Sequence, residues 1–264
     1  RDLELISEFN SQRTWFYRGF SNSIIRETSE GLVIIDPGAN FDVHTKFKAL
    51  REETTQQVNT VIYTHGHVDH IGIKPYLDEC ERNNWPKPRI IGHEAIKARF
   101  DRYKLTNSWN GSINLRQFRG GNGAPIFTRD LYYPTETYQD ELALQIGGVK
   151  IQLTHSRGET DDHTWVYFSD TKILCTGDLF IWGIPNGGNP QKVQRYALEW
   201  ALALKEMKKL NPKILCPGHG VPIIGQERVS EALENTALLL ESLHTQTISL
   251  MNEGASLDKV IHTV

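Results

Sequence analysis

The side chains best suited to chemistry lie in one short run, Thr64-His65-Gly66-His67-Val68-Asp69-His70. They directly follow an apolar segment, residues 58–63, which predicts a buried strand. Imidazole nitrogen suits zinc, and a carboxylate adds a harder oxygen ligand. Four such side chains so close along the chain cannot all reach one ion comfortably, whereas two ions about 3.5–4 Å apart accommodate them. The run therefore predicts a binuclear metal site, and a chance cluster of histidines in a polar loop is disfavoured.

Two later segments place one ligand-type side chain each at the end of a predicted strand. Thr176-Gly177-Asp178 is the first, and Pro217-Gly218-His219-Gly220 is the second. In both, glycine beside the polar residue lets the backbone turn tightly. Each segment alone is a weak signal, but both in this order after the histidine-rich run make a strong one.

This order of motifs resembles that of the metallo-β-lactamase superfamily, and the resemblance covers about residues 16–264. It includes Asp36, the run from His65 to His70, a ligand near 155–160, Asp178 and His219. The resemblance implies a four-layer αββα fold and a metal pair that shares a bridging hydroxide. The residues it assigns are His65 and His67 on metal 1, Asp69, His70 and His219 on metal 2, and Asp178 as a bridge between the two. Asp69 and Asp178 are the candidate catalytic residues.

The third motif departs from the common family pattern, which usually reads Gly-His-Thr. Here the matching stretch is Gly158-Glu159-Thr160-Asp161-Asp162-His163. Counted back from the following strand, Glu159 occupies the usual histidine position and is predicted to be the third ligand of metal 1. His155 is the rival ligand if the register slips. Otherwise His155 and His163 are expected to orient a ligand by hydrogen bonding.

A glutamate at position 159 resembles the alkylsulfatase branch of the superfamily. Residues 246–264 resemble the start of that branch's dimerisation region, and Gln194-Arg195 with Trp200 resembles the helix after its fourth motif. Asp178 differs, because that branch usually has glutamate there. The chain also stops where that branch continues into more helices, so a longer protein is expected. Alkyl sulfates are therefore the leading substrate class.

Other functions fit the same metal motifs. Hydrolysis of a β-lactam, lactone or thioester would use the metals on a carbonyl, and a phosphodiesterase would use them on phosphorus. A redox di-iron protein is disfavoured, because His67 stands where such proteins typically have glutamate. A structural metal module is disfavoured too, because six or seven ligands exceed what a four-coordinate structural site requires.

The expected cofactor is a pair of divalent ions. Zinc comes first, and the glutamate ligand shifts the preference somewhat toward manganese or iron. The expected partner is a small-molecule substrate, and Arg195 and Arg119 are candidates to clamp an anionic oxygen of it.

The order of the predicted elements favours an α/β fold. Strands are predicted near 31–36, 58–63, 89–92 and 214–216, with hairpins over 141–146/149–154 and 164–168/172–176. Helices are predicted over 41–53, 72–83, 93–103, 191–210, 226–252 and 255–263. In residues 104–140 the apolar residues recur at neither helical nor strand spacing, which predicts a long functional loop. Residues 1–225 would form the catalytic domain, and residues 226–264 the C-terminal helices.

Composition excludes several classes of protein. A formal charge of −3 gives no broad attraction to nucleic acid, so no nucleic-acid partner is expected. Cys80, Cys175 and Cys216 are too few and too far apart for a disulfide framework. No apolar run approaches the ~20 residues of a membrane span. No signal peptide opens the chain, but it begins at Arg1 rather than Met, so the sequence leaves open whether a segment precedes it. The protein is expected to be soluble, and the choice between cytoplasm and periplasm stays open.

The predicted helix over 226–252 carries an apolar stripe. Leu233, Leu240, Leu243 and Met251 fall in phase on it. Together with the resemblance of residues 246–264, the stripe predicts a homodimer.

Overall fold

A computed structural model describes residues 2–118, 127–188 and 192–264. The first sheet has seven strands, which are β1 Leu3–Phe9, β2 Gln12–Tyr17, β3 Ser23–Thr28, β4 Gly31–Ile35, β5 Val58–Ile62, β6 Arg89–His93 and β7 Glu136–Tyr138. They lie in the spatial order β1 to β7, antiparallel as far as β4 and parallel from β4 to β7.

The second sheet has six strands, which are β8 Glu141–Ile146, β9 Val149–His155, β10 Thr164–Phe168, β11 Ile173–Gly177, β12 Ile214–Pro217 and β13 Ile223–Ile224. Their spatial order is β13-β12-β11-β10-β9-β8, and among these described strands only the pair β11–β12 is parallel. The helices are α1 Val43–Glu53, α2 Lys74–Asn83, α3 Ala95–Leu105, α4 Asn107–Phe118, α5 Ala197–Lys209, α6 Gln226–Asn252 and α7 Leu257–Thr263.

Three apolar clusters divide the core and define four layers. In β4, Leu32 and Ile34 face the cluster that includes Val43 and Leu50 of α1, whereas Val33 faces the other sheet. This alternation follows from the pleat, which points successive side chains to opposite faces. The clusters lie between the first sheet and α1 to α3, between the two sheets, and between the second sheet and α5 and α6. The predicted αββα sandwich is therefore confirmed.

The sequence did not predict the first three strands. In β2, the four residues from Thr14 to Tyr17 are all buried, because the strand has helices on one face and the second sheet on the other. The polar–apolar alternation that marks a half-buried strand is therefore absent.

The prediction of a loop over 104–140 was wrong in part, because α4 occupies Asn107–Phe118. Its Ile113 is buried while Trp109 is 51% exposed, so no apolar stripe signals the helix. The predicted helix over 191–210 begins only at Ala197. The backbone N–H of Tyr196 donates to the carbonyl of Gly158, and this bond holds the residues before α5 out of a helix.

The long helix α6 has the predicted bounds, but its apolar stripe has two environments. Leu233 and Leu240 are buried in the apolar cluster between the second sheet and α5 and α6, whereas Met251 is 59% exposed. No helix in the described ranges is both long and apolar enough to cross a membrane.

Candidate metal centre

Loops from both sheets bring the predicted ligand residues into two adjacent groups. The run from His65 to His70 follows β5, Glu159 lies between β9 and β10, Asp178 follows β11, and His219 follows β12. Within each group, one ligand atom per residue lies within 4.8 Å of all the others. The first group is His65, His67, Glu159 and Asp178, and the second is Asp69, His70 and His219. Each group could hold a metal ion.

In the first group, the ligand atoms point at a common space. His65 Nε2 lies 2.8 Å from His67 Nδ1. Glu159 Oε2 lies 3.3 Å from the same His67 nitrogen and 3.8 Å from His65 Nε2. Asp178 Oδ2 is also 3.8 Å from His65 Nε2. Nitrogen and carboxylate donors at these separations form a donor set typical of a zinc site.

Asp178 also lies against the second group. Its Oδ1 is 3.5 Å from His70 Nε2, and its Oδ2 is 3.4 Å from His219 Nε2. Asp69 Oδ2 completes this group at 3.4 Å from His70 Nε2 and 3.3 Å from His219 Nε2. Asp178 therefore stands between the two groups, where one carboxylate could contact two ions.

The outward-facing nitrogen of several histidines is held by a neighbour. His70 Nδ1 donates to Asp36 Oδ2 at 2.8 Å, and His219 Nδ1 donates to the carbonyl of Phe20 at 2.6 Å. His65 Nδ1 lies 3.0 Å from Thr64 Oγ1, which itself donates to Asp36. Such partners orient each ring so that Nε2 faces the centre.

Burial keeps the imidazoles of the first group neutral. It lowers the pKa of His65 well below its ordinary value and that of His67 to about 3. In the second group the carboxylates outweigh burial and raise the pKa of His70 well above its ordinary value and that of His219 to about 10. Burial also acts to raise the pKa of Asp69 and of Asp178, but these protonated histidines outweigh it and hold both pKa values below the usual range. Neutral imidazoles and ionised carboxylates are the forms that bind metal. A metal ion at the second group would therefore displace protons from His70 and His219.

Glu159 behaves differently from the aspartates. Burial and the charge of Asp178 raise its pKa to about 8, while Arg195 and Arg99 oppose that rise. Clustered buried carboxylates of this kind require a cation or a proton to balance their charge.

Three buried polar atoms at the centre have no hydrogen-bond partner among the described residues. They are His70 Nε2, Glu159 Oε2 and Asp178 Oδ1. Orphaned buried polar atoms are costly and call for an explanation. Glu159 Oε2 lies against the nitrogens of the first group, and His70 Nε2 and Asp178 Oδ1 lie against each other. Divalent ions held by the two groups would satisfy all three atoms, so the residues present fit the metal pair implied by the sequence.

Glycine at two positions is required by close packing around Asp178. A Cβ on Gly218 would lie 2.1 Å from Asp178 Oδ1, and one on Gly177 would lie 2.5 Å from Thr64 Oγ1. Gly177 also has a φ of 50°, in the left-handed region that favours glycine. The glycines flanking the predicted ligands thus leave room for the carboxylate.

The structure places His155 outside both groups. Its Nδ1 donates to the carbonyl of His163 at 2.9 Å, and its ring stacks on His93 at 3.7 Å. His163 contacts the centre indirectly. Its Nε2 accepts from the backbone N–H of Asp178 at 3.1 Å, and its ring stacks on His65.

A segment that the sequence did not single out supports the second group. Ser21 Oγ donates to the carbonyl of Asp69, and Asn22 Nδ2 donates to the carbonyls of Pro217 and Gly220, both at 2.9 Å. These partners lie up to 198 residues apart, so no local pattern could have revealed them.

Asp162 plays a similar part for the first group. Its Oδ2 accepts from the backbone N–H of Gly66 at 3.0 Å and from Arg99 Nε at 2.8 Å. One indication of this role was available from the sequence, because position 162 lies inside the third motif.

A cavity of about 1170 Å³ opens over the centre. Asp69, Glu159 and Asp178 line its floor. Its apolar lining includes Phe20, Phe41, Trp109, Ile113, Phe127 and Val193. The space is large enough for a small molecule with an apolar portion.

Of the two predicted anion clamps, Arg195 lines this cavity and Arg119 lies outside the described residues. Arg195 Nη2 forms an ion pair with Glu159 Oε1 at 2.6 Å. Its role in substrate binding stays a prediction, and the contact with Glu159 is an added finding.

The model of the metallo-β-lactamase superfamily matches residues 16–219, which include most strands of both sheets and all of the predicted ligands. The chain belongs to the metallo-β-lactamase superfamily. Its curated relatives include hydrolases of several kinds, among them alkylsulfatases, a hydroxyacylglutathione hydrolase and an acyl-coenzyme A thioesterase. The resemblance that the motifs indicated is thereby confirmed.

Among these relatives, a linear primary-alkylsulfatase of a Pseudomonas species is 26% identical over 90% of this chain and 48% of its own length. The hydroxyacylglutathione hydrolase GloC of Haemophilus influenzae is 23% identical over 81% of this chain and 92% of its own. The solved stereoselective inverting sec-alkylsulfatase of a Pseudomonas species superposes with a TM-score of 0.82 at 20% identity, over 95% of this chain and 44% of its own. The chain thus spans about half the length of the alkylsulfatases it matches.

Proposed function

We propose that this chain is the catalytic part of a binuclear metal-dependent hydrolase. The observation that carries the proposal is the position of Asp178 between two groups of ligand-type side chains. Metal 1 would be held by His65, His67, Glu159 and Asp178, and metal 2 by Asp69, His70, His219 and Asp178. Zinc is the first expectation for both ions, with manganese or iron as alternatives.

Bound metals would polarise the scissile group and lower the pKa of a water to near neutrality. The protein's own residues would set the geometry for this. Asp178 would fix the spacing of the two sites, and Asp69 would lie at the cavity floor, within reach of a bound substrate. The buried contacts of Asp36 and Asp162 would hold the histidine-rich loop rigid, as positioning demands.

We propose an alkyl sulfate-like ester as the substrate. The glutamate at position 159 and the similarity to alkylsulfatases support this class. The apolar wall of the cavity would receive an alkyl chain, while the ester group would lie over the metal centre.

A substrate panel tests this proposal. Zinc- and manganese-loaded protein is assayed with chromogenic sulfate, phosphate diester, lactone and cephalosporin substrates, with Asp178→Asn as the inactive control. We expect the sulfate ester to have the highest kcat/KM. A higher kcat/KM for a lactone or cephalosporin would indicate that the protein hydrolyses carbonyl compounds instead.

Carbonyl hydrolysis is the second candidate. The match to the hydroxyacylglutathione hydrolase GloC covers 92% of that enzyme, and another relative is an acyl-coenzyme A thioesterase, which supports this candidate. A thioester substrate belongs in the same panel for this reason.

The intact protein is proposed to be a homodimer. On α6 and α7, several apolar side chains are exposed, among them Met251 at 59%, Leu257 at 75% and Ile261 at 65%. Exposed apolar surface of this kind marks association sites. We expect light scattering of the intact protein to give the mass of a dimer, and a monomer at high concentration would refute this.

A further inference from the structure

The two oxygens of the Glu159 carboxylate face different partners. Oε2 points toward His67 and His65 and has no hydrogen-bond partner in the described ranges. Oε1 lies 2.6 Å from Arg195 Nη2. One oxygen is therefore free to bind a cation, while the other is held by a guanidinium.

Arg195 is itself held in place. Only 11% of its side chain is exposed, and Nη1 donates to the carbonyl of Asn186 at 3.1 Å. Next to it, the backbone N–H of Tyr196 donates to the carbonyl of Gly158 at 2.9 Å. A backbone bond and an ion pair thus join the segment before α5 to the loop that carries Glu159.

The charges of the first group show what this contact does. Glu159 and Asp178 bring two negative charges to His65 and His67, whereas a histidine at position 159 would leave only one. The positive charge of Arg195, which is paired with Glu159 Oε1, brings the net charge around metal 1 back to the value that a histidine at this position would give. A buried carboxylate costs much less when it is paired and hydrogen-bonded than when it stands alone.

We propose that Arg195 is a positioning residue for metal 1, and that Arg195 and Glu159 together replace the neutral imidazole usual at this position. This inference rests on the proposed function, because it takes Glu159 as a ligand of metal 1. Arg195 orients the carboxylate so that Oε2 faces the metal, and it balances the charge that glutamate adds. Arg195 and Glu159 therefore act as one unit, and neither can be exchanged alone without loss.

The test is a double-mutant cycle that measures metal affinity rather than activity. Zinc affinities are measured by competition with a chromogenic chelator for Glu159→His, Arg195→Gln and the double variant. Glu159→Gln identifies which of the two affinities belongs to metal 1. The matched control is Arg157→Gln, since Arg157 forms an exposed ion pair with Glu199 at 2.6 Å, outside the centre.

We expect Arg195→Gln to have opposite effects in the two backgrounds. With Glu159 present, it should weaken metal 1 about 10–100-fold, as loss of an orienting partner does. With histidine at 159, the guanidinium is an unpaired cation beside the metal, so its removal should strengthen metal 1 by about 10-fold. Arg157→Gln should leave both affinities unchanged.

The same weakening in both backgrounds, or no effect in either, would overturn the inference. Arg195→Lys gives a second test if Glu159→His does not fold. It keeps the charge, so metal 1 affinity should stay well above that of Arg195→Gln, and equal losses would also overturn the inference. If instead Glu159→Gln retains both ions, the ligand set of the proposed function fails.

Discussion

Glu159→Gln is expected to lose the ion at metal 1 and to keep the ion at metal 2. The amide oxygen is a poor donor beside a carboxylate, and the buried Oε2 is the atom that faces His65 and His67. Elemental analysis of the purified variant should find close to one metal per chain. Hydrolytic activity should fall by at least about 100-fold, because a binuclear site needs both ions to clamp the reacting oxygens.

His155→Ala provides the contrasting variant. Because His155 belongs to neither group and binds the carbonyl of His163, its loss should cost about 10–100-fold in metal affinity or activity. Glu199→Gln, at an exposed ion pair, should change neither. Loss of a metal in His155→Ala with both ions retained in Glu159→Gln would show that the third ligand is His155, and the alkylsulfatase analogy would lose its main support.

Gly218→Ala is expected to disable the centre while the fold persists. The added methyl would lie 2.1 Å from Asp178 Oδ1 and 3.1 Å from His70 Cε1, so the carboxylate must move. A displacement of about 1 Å in a catalytic group can cost about 100-fold in rate. Because Asp178 faces both groups, we expect kcat/KM to fall by about that factor and the content of both metals to drop.

Gly187→Ala is the matched control, because a Cβ at that position meets no atom of the described residues within 4 Å. It should retain wild-type activity and metal content. If Gly218→Ala behaved like this control, Asp178 would not be confined between the two groups as the structure places it.

The parts of the fold that could be predicted are those with local signals. The histidine-rich run after β5 is one, because four donor side chains and a buried strand adjoin in the sequence. Helix α6 is another, since its apolar residues recur at helical spacing over many turns. The α/β class followed from the alternation of strands and helices, and the four layers followed from the resemblance of the motifs to the family.

The missed parts depend on tertiary context. Strand β2 is buried along four successive residues, and α4 has no apolar stripe. Neither segment therefore shows the spacing of apolar residues that is typical of its element. The contacts of Ser21 and Asn22 with the loops of Asp69 and His219 join distant parts of the chain. The ion pair of Arg195 with Glu159 likewise depends on how the loop after Asp178 packs. A spacing along the chain cannot specify such pairings.

Metal stoichiometry is the sharpest test of whether two ions lie on either side of Asp178. Protein purified without chelator is analysed for elemental metal before and after loading with zinc or manganese. Close to two ions per chain are expected, in line with the two groups of donor atoms. A clean value of one, unchanged by added metal, would rule out the binuclear site.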